Sequence, residues 1–321
     1  MLPVLPLELQ LRIIELAVPP LTKRNLGKVR QLSTTLPLVC RAWMNLAYRA
    51  VPVVPRFVFN KGDRAGTAPD LTLDTIAASG RVAREVELDL GMLAGLEVFE
   101  QLSNSRLTQT PNALWLDLPD DQRGGTFLVE NFDVPRLHLD DARWCASGTW
   151  LIGSLQPRVE TLSLSSMQAN SLDTVDPSIR RLVFTTWEGA DLDLSNIWPF
   201  TPNLEILGIA VRPPYSGCFE WDVFEGSRAS NTVRHVCLQF AYDRKTGRCT
   251  LFDPDLFSLA LPPSLLTLTV RHPSILTSGQ RSVITAACER NSTTFIEQAY
   301  TLGQGQLEDE WDIEEWALLM T

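Results

Sequence analysis

The chain contains 321 residues, of which 45% are hydrophobic and 21% are charged. This composition argues against a disordered chain and against a membrane class, and the length fits roughly two domains. The net charge of −10 is spread unevenly, because residues 1–64 hold ten Lys and Arg against three acids (+7) and the rest hold 18 − 35 = −17. The two parts are expected to face different electrostatic partners, unless both are simply solvated surfaces.

The sequence predicts a cytoplasmic or nuclear protein. Its start, MLPVLPLELQLR, has no basic region ahead of an apolar core, as a secretory signal would. The longest uncharged stretch, 256–270, contains two prolines and is shorter than the roughly 18 residues that a membrane-spanning helix needs. The six cysteines form no CxxC pair, so reduced thiols are expected.

Two amphipathic helices are predicted near the N-terminus. The first has a proline suited to its first turn, followed by apolar positions at the spacing of one helix face: Pro6, Leu9, Ile13, Leu16 and Ala17. The pair Pro19-Pro20 ends this helix. The second helix is predicted from about Pro37 to Arg49, after hydroxyl side chains suited to capping.

The residues of these helices carry a family resemblance. They occur in the order Leu5-Pro6-x-Glu8, Ile13-Ile14, Leu16 and then Leu38-Val39-Cys40-Arg41-x-Trp43. This order resembles the F-box, particularly the variety common in fungal proteins. The sequence departs from the F-box pattern in two places, a long insert at 19–32 and Pro37 just before the last helix. Because of these departures, the resemblance does not define how the middle helix forms.

The resemblance implies that this segment docks on a Skp-type adaptor, which itself joins a cullin ligase scaffold. The residues it implies for docking are Leu5, Pro6, Leu9, Ile13, Leu38, Val39 and Trp43. Such adaptors are acidic in the family, and the +7 balance of residues 1–64 is complementary to that charge. The alternative is a helical cap that merely seals the first repeat of the following domain.

An apolar pattern, Φ-x-x-Φ-x-Φ, recurs eight times after residue 64. It begins at Ala83, Ala113, Val134, Val159, Ile179, Leu204, Val233 and Leu265, with separations between 20 and 32 residues. In five of the eight, a proline lies two residues before the first apolar position: Pro111, Pro157, Pro177, Pro202 and Pro263. Proline at a strand entry removes no ladder hydrogen bond, so the shared register indicates repeated strands.

The pattern resembles leucine-rich repeats of the kind that follow F-boxes. The fold class is therefore predicted as α/β, a small helical F-box module followed by an irregular leucine-rich-repeat-like solenoid with a parallel sheet on its concave face. The expected organisation is an F-box module at 1–55, a linker or first capping segment at 56–82, a repeat domain at 83–298 and an acidic C-terminal cap or tail at 299–321.

No catalytic motif is found in the sequence. The three histidines are far apart and none lies in an HExxH motif, and there is no GxxxxGK[ST], GxGxxG or GxSxG. The chain is therefore predicted not to be an enzyme and to need no metal or other cofactor. An unrecognised hydrolase is a weaker alternative that the missing motifs disfavour.

The repeat pattern places alternate strand residues on the concave face. The candidate substrate-binding residues there are Glu85, Glu87, Asp89, Trp115, Asp117, His138 and Asp140. This acidic group would attract a basic protein segment, although ordinary solvation of charges explains it equally.

The function that these features predict is substrate recognition for a Skp-cullin-F-box ubiquitin ligase, with the repeats binding a protein substrate. Neither nucleic acid nor membrane is an expected partner. The alternative is a leucine-rich-repeat scaffold or inhibitor that acts outside any ubiquitin ligase.

Overall fold

The structure is a computed structural model. It describes residues 5–59, 68–90, 111–117, 125–127, 132–140, 150–152, 158–165, 175–186, 197–211, 231–240, 242–243, 248–249, 261–272, 276–299 and 313–320. The chain divides into two compact units, Met1–Pro119 and Asp120–Thr321. This division differs from the expected organisation, because strands assigned to the repeat domain group with the N-terminal helices.

The first unit contains four helices and three parallel strands among its described residues. The strands lie in the order β1-β2-β3, and Glu87 of β2 is in register with Arg56 of β1 and Trp115 of β3. The elements are α1 (Leu7–Ala17), α2 (Leu26–Thr35), α3 (Arg41–Ala50), β1 (Arg56–Phe59), α4 (Ala68–Ala78), β2 (Glu85–Leu90) and β3 (Ala113–Asp117).

The helices α1, α2 and α3 share a hydrophobic core with one face of β3. Trp115 and Ala113 of that strand are fully buried. They form one cluster with the following residues of the helices and the segment after them: Ile14, Leu26, Val29, Leu46, Ala47, Val51 and Val54. Register places Ala113, Trp115 and Asp117 opposite Glu85, Glu87 and Asp89, so all six belong to the same face of the sheet. The helices therefore cover the face that the sequence predicts to be open.

Helix α1 buries a different face from the one expected. Ile14 is fully buried, and Leu11 and Val18 pack against the same core at spacings of three and four residues. Leu9, Ile13 and Leu16 are exposed. The predicted apolar stripe of α1 exists, but it faces solvent.

The insert at 19–32 forms the middle of the helical module. A short 3₁₀ turn at Lys23–Asn25 leads into α2. Pro37 lies in a second 3₁₀ turn, Leu36–Leu38, and not in the last helix as predicted. Helix α3 begins at Arg41 because Cys40 is extended and its Sγ accepts a hydrogen bond from the Trp43 amide at 3.4 Å.

The second unit contains seven parallel strands of one sheet among its described residues, in the order β5-β7-β8-β9-β10-β13-β14. Two short pairs, β4 with β6 and β11 with β12, lie outside this order. The elements are β4 (Gly125–Phe127), β5 (Arg136–Asp140), β6 (Trp150–Ile152), β7 (Thr161–Ser165), β8 (Arg181–Thr186), α5 (Ile197–Phe200), β9 (Ile206–Val211), β10 (His235–Phe240), β11 (Tyr242–Asp243), β12 (Arg248–Cys249), β13 (Thr267–His272), α6 (Ser278–Arg290), β14 (Thr294–Ala299) and α7 (Ile313–Leu319).

All eight predicted strands are present, as β2, β3, β5, β7, β8, β9, β10 and β13. The α/β class and the parallel pairing are thereby confirmed. As expected, the strand that follows Val159 pairs with the strands that follow Val134 and Ile179. Two further strands in these sheet orders, β1 and β14, were not predicted. Strand β1 lies before residue 64, where no repeat was expected, although Val54, Phe57 and Phe59 fit the Φ-x-x-Φ-x-Φ pattern, and β14 does not follow that pattern.

The strand entries of the second unit repeat one hydrogen-bond arrangement. At the start of β7, β8, β9, β10 and β13, two successive amides donate to a single carbonyl that lies just before the preceding strand. The Arg180 and Arg181 amides donate to the Glu160 carbonyl, and the Glu205 and Ile206 amides donate to the Arg180 carbonyl. The same arrangement continues at Glu205 and at Arg234. The repeats thus agree in backbone detail as well as in sequence pattern.

No helix among the described residues has the length and apolarity that crossing a membrane requires.

Replacing Trp115 with alanine should destabilise the first unit. Trp115 is fully buried where α1–α3 meet β3, and removing such a side chain costs about 3–5 kcal/mol. Urea denaturation of the full chain measures the loss, and hydrogen exchange of the α2 and α3 amides locates it. Val82→Ala, at a position 66% exposed, is the control, with an expected change within about 0.5 kcal/mol. Equal stability of the two variants would contradict the assigned packing.

Candidate functional site

Three features of the structure bear on function: an exposed apolar edge, a buried group of carboxylates and a strip of sheet under α7. Exposed apolar residues of the helical module are together called the apolar edge: Leu5, Pro6, Leu7, Leu9, Ile13 and Leu16 at α1, and Leu38 and Val39 shortly before α3. The carboxylate group consists of Glu85, Glu87, Asp89 and Asp117. The first two features belong to the first unit and the third belongs to the second unit.

The apolar edge contains six of the seven residues predicted to dock on an adaptor. Leu38 is 82% exposed and Val39 is 61% exposed, and Leu5, Pro6, Leu9 and Ile13 are exposed as well. On α1, Leu9, Ile13 and Leu16 follow one another at spacings of four and three residues, so they share one side of the helix. A run of exposed apolar side chains beside a complete core is typical of an interaction surface.

Trp43, the seventh predicted docking residue, has a different environment. It is half-buried and packs against the core cluster that includes Trp115 and Leu46. The amide of Trp43 also donates the capping hydrogen bond to Cys40 Sγ. Trp43 therefore supports the helical module from within, with part of its ring left accessible.

Three bases of the same unit pair with Glu87, Asp89 and Asp117 of the carboxylate group. Lys23 Nζ lies 3.3 Å from Glu87 Oε1 and also pairs with Asp117. Arg30 of α2 pairs with Glu87. Lys23 and Arg30 both come from the helical module, so this module contacts the sheet through charge as well as through Trp115.

A third base approaches the group from β1. Arg56 Nη2 donates to Asp89 Oδ2 at 2.8 Å, and its Nε lies 3.9 Å from Glu87 Oε2. The hydrogen bond to Asp89 and the nearby carboxylates raise the pKa of Arg56 against the opposing effect of burial. Glu87, only 4% exposed, thus lies between three cations.

These contacts correct the expected exposure of five candidate substrate-binding residues. Glu85, Glu87, Asp89 and Trp115 are buried, and Asp117 is half-buried beside Lys23. The physical reason is that the basic helical module covers this face of β2 and β3. The bases that these carboxylates contact in the structure, Lys23, Arg30 and Arg56, belong to the same chain.

The other two candidate substrate-binding residues, His138 and Asp140, lie on β5 in the second unit. His138 is buried, and its Nδ1 lies 3.2 Å from Glu314 Oε1 of α7. Asp140 is half-buried. A helix of the same chain therefore contacts part of this predicted surface too.

Helix α7 packs on the sheet of the second unit. Its buried residues Ile313, Trp316 and Ala317 form one cluster with Val183 of β8, Ile206 and Ala210 of β9, and Cys237 of β10. Glu314 Oε1 accepts a hydrogen bond from Ser163 Oγ of β7 at 2.6 Å. The acidic C-terminal segment was expected to cap the last repeat, whereas its described residues lie on strands nearer the middle of this sheet order.

Comparison with protein-family models, with curated proteins and with solved structures gives no match for this chain. Within the described ranges, no group of three or more His, Cys, Asp and Glu side chains is arranged to hold a metal ion.

Sequence reasoning missed the bases that hold the helical module on the sheet and the position of α7. Lys23 and Glu87 are 64 residues apart, and no local pattern connects them. The only signal was the charge split, +7 before residue 65 and −17 after it. That split is compatible with an outside partner or with two solvated surfaces, and in the structure Lys23, Arg30 and Arg56 form ion pairs within the chain.

Asp117 should give the first unit a pH-dependent stability. Burial raises the pKa of its carboxyl, and Lys23 opposes the shift without cancelling it. The folded chain thus binds a proton at Asp117 more tightly than the unfolded chain does. This contribution to stability is fully present below the ordinary aspartate pKa of about 3.9 and is lost as the pH rises through the raised pKa.

Asp117→Asn removes this titration. The free energy of unfolding of the wild type, minus that of Asp117→Asn, should therefore fall as the pH increases from about 3.5 to 7. Urea denaturation across this range measures the difference, and Asp74→Asn on α4, where the carboxylate is exposed, is the control. A difference that stays constant or rises with pH would contradict the effect of burial at Asp117.

Proposed function

We propose that this chain is the substrate-recognition subunit of a Skp-cullin-F-box ubiquitin ligase, in the cytoplasm or the nucleus, and that it carries no catalytic activity. The observation that carries the proposal is the exposed apolar edge of the helical module. Six of the residues that the F-box resemblance implies for docking are exposed on it, although the module already has a complete core of its own.

The module keeps a basic surface after its internal pairs are formed. Lys23, Arg30 and Arg56 are used by the carboxylate group. Exposed bases remain on the module, namely Arg24, Lys28, Arg41 and Arg49. An acidic Skp-type adaptor fits a surface that combines an apolar edge with these bases, because charge complementarity speeds encounter and the apolar residues supply affinity.

The second part of the proposal is a leucine-rich-repeat-like solenoid that receives the substrate. Its support is the set of parallel strands in constant register and the repeated hydrogen bonds at their entries. Stacked repeats of this kind present extended surfaces that suit protein partners. No catalytic role is needed, since the ligase scaffold supplies the chemistry.

Binding of a purified Skp-type adaptor to the full chain tests the proposal. Isothermal titration calorimetry should give a 1:1 complex. A folded chain that shows no heat of binding and no co-elution with the adaptor would contradict the ligase role and favour a repeat scaffold or inhibitor outside any ligase.

The double substitution Leu5→Ala/Pro6→Ala should weaken adaptor binding and leave the fold intact. Both residues are exposed at the start of α1 and lie outside the core cluster. If they are hot spots, their truncation costs about 2 kcal/mol or more, which corresponds to roughly a thirtyfold increase in the dissociation constant. Calorimetry with the adaptor gives the affinity, and thermal melting gives the stability.

Two comparison variants make this result specific. Leu71→Ala/Val82→Ala removes two exposed apolar side chains of the same unit that are not part of the apolar edge, one on α4 and one before β2, so adaptor affinity should not change. Trp43→Ala should lower the melting temperature as well as the affinity, because Trp43 packs on the core. Wild-type affinity of a normally melting Leu5→Ala/Pro6→Ala variant would show that this edge is not the docking surface.

A further inference from the structure

The strip of sheet under α7 has the features of a helix-binding site. Its apolar part is formed by Val183, Ile206, Ala210 and Cys237, which α7 covers with Ile313, Trp316 and Ala317. These three helix residues are at positions i, i+3 and i+4, so they form one face of the helix. The strip therefore recognises the side chains of a single helical turn.

Gly208 makes room for this turn at the centre of the strip. A Cβ atom at Gly208 would lie 3.0 Å from Ile313 Cγ1 and 3.3 Å from Ile313 Cδ1. Contacts that short require the neighbour to move, so a side chain at position 208 competes with Ile313 for the same space. Glycine weakens a strand interior, and close packing of the helix accounts for its presence here.

Beside the apolar part of the strip, Ser163 and His138 contact the carboxylate of Glu314 on α7. Glu314 Oε1 accepts a hydrogen bond of 2.6 Å from Ser163 Oγ and lies 3.2 Å from His138 Nδ1. Ser163 and His138 are both buried. A buried hydroxyl and imidazole that meet one carboxylate add selectivity, since an apolar side chain in place of Glu314 would leave them without this partner.

The charge of the strip also favours an acidic helix. The strands β8, β9, β10 and β13 contain no Asp or Glu, and they contain Arg181 and Arg271. Burial and the nearby Arg234 lower the pKa of His235, which leaves the two arginines as the main charges on these strands. The segment 307–321 contains six acids and no base.

Helix α7 is short enough to exchange. It has seven residues, and isolated helices below about 12 residues are marginal in water. Its order therefore depends on the strip beneath it. Residues 300–312 join α7 to β14 along the chain, so α7 competes for the strip as a segment of the same molecule.

We propose that this strip, across β8, β9 and β10, is a binding site for an acidic amphipathic helix of a partner protein, and that α7 occupies the site until such a partner replaces it. The partner helix would present an apolar residue, a following acid and an aromatic residue three positions after the apolar one. This inference deepens the receptor role proposed above by naming the class of substrate segment. Its test uses no adaptor, so failure of either proposal is recognised separately.

The test uses the full chain with Ile313→Ala/Trp316→Ala and a synthetic peptide of residues 307–321 as the probe. The substitutions release α7 from the strip, so the peptide should bind the variant 1:1 and at least tenfold more tightly than it binds the wild type. The affinities should differ because α7 of the wild type competes with the peptide for the strip, whereas the released α7 of the variant does not. Fluorescence anisotropy of the labelled peptide measures both affinities.

Cysteine labelling without peptide shows whether the substitutions release α7 from the strip. Cys237 is fully buried and burial raises the pKa of its thiol, so maleimide should label it faster in the variant once α7 leaves. Cys288 on α6 is also buried, and burial raises its pKa to about 11, but it lies outside the α7 cluster. Its labelling rate should stay unchanged, and mass spectrometry distinguishes the two sites.

Adding Gly208→Val to the released variant should abolish peptide binding, because the valine side chain fills the space of Ile313. A peptide with its tryptophan equivalent to Trp316 replaced by alanine should fail to bind as well. Equal peptide affinity for wild type and released variant would overturn the proposal. So would faster labelling of Cys288 together with Cys237, since α7 would then be an integral part of the unit and not an exchangeable occupant.

Discussion

The buried carboxylate of Glu87 constrains the arrangement of the first unit. It is surrounded by Lys23 and Arg30 of the helical module and by Arg56 of the neighbouring strand. An isolated carboxylate taken out of water costs several kcal/mol, so the bases must approach it for the unit to fold. Trp115, in register with Glu87, fills the adjacent apolar space. Charge and packing together fix the helices on this face, and the stripe on α1 is left exposed as a consequence.

The same physical principle applies within the second unit, with the signs reversed. The strands β8, β9, β10 and β13 carry arginines and no acids, and the segment that packs on three of them is the acidic C-terminal helix. In each unit, the strand residues that sequence alternation assigns to the core are buried on one face of the sheet. Part of the opposite face is covered by a segment of the same chain: by α1–α3 in the first unit, and by α7 on β8, β9 and β10 in the second. Ligand recognition by either unit must therefore take account of that covering segment.

The sequence predicted the strands well and the covering segments poorly. Strand alternation is local, so Leu162 or Leu182 reveals its strand from the neighbouring residues alone. Helix α1 has apolar residues on two sides, and Ile13 and Ile14 are adjacent, so periodicity did not determine which side is buried. Two contacts join residues that are far apart in the chain: the ion pair of Lys23 with Glu87, and the packing of Ile313 against Gly208. Only the charge split of the sequence pointed to them, and a charge split does not identify its partner.

A double-mutant cycle between Arg30 and Glu87 tests most directly whether the helical module is held on the sheet by this buried carboxylate. Arg30→Met, Glu87→Gln and the double variant are compared with the wild type by urea denaturation at neutral pH. The structure predicts non-additive losses, with a coupling of about 1 kcal/mol, because each single variant removes one member of the Arg30–Glu87 ion pair. Additivity within about 0.5 kcal/mol would contradict the account.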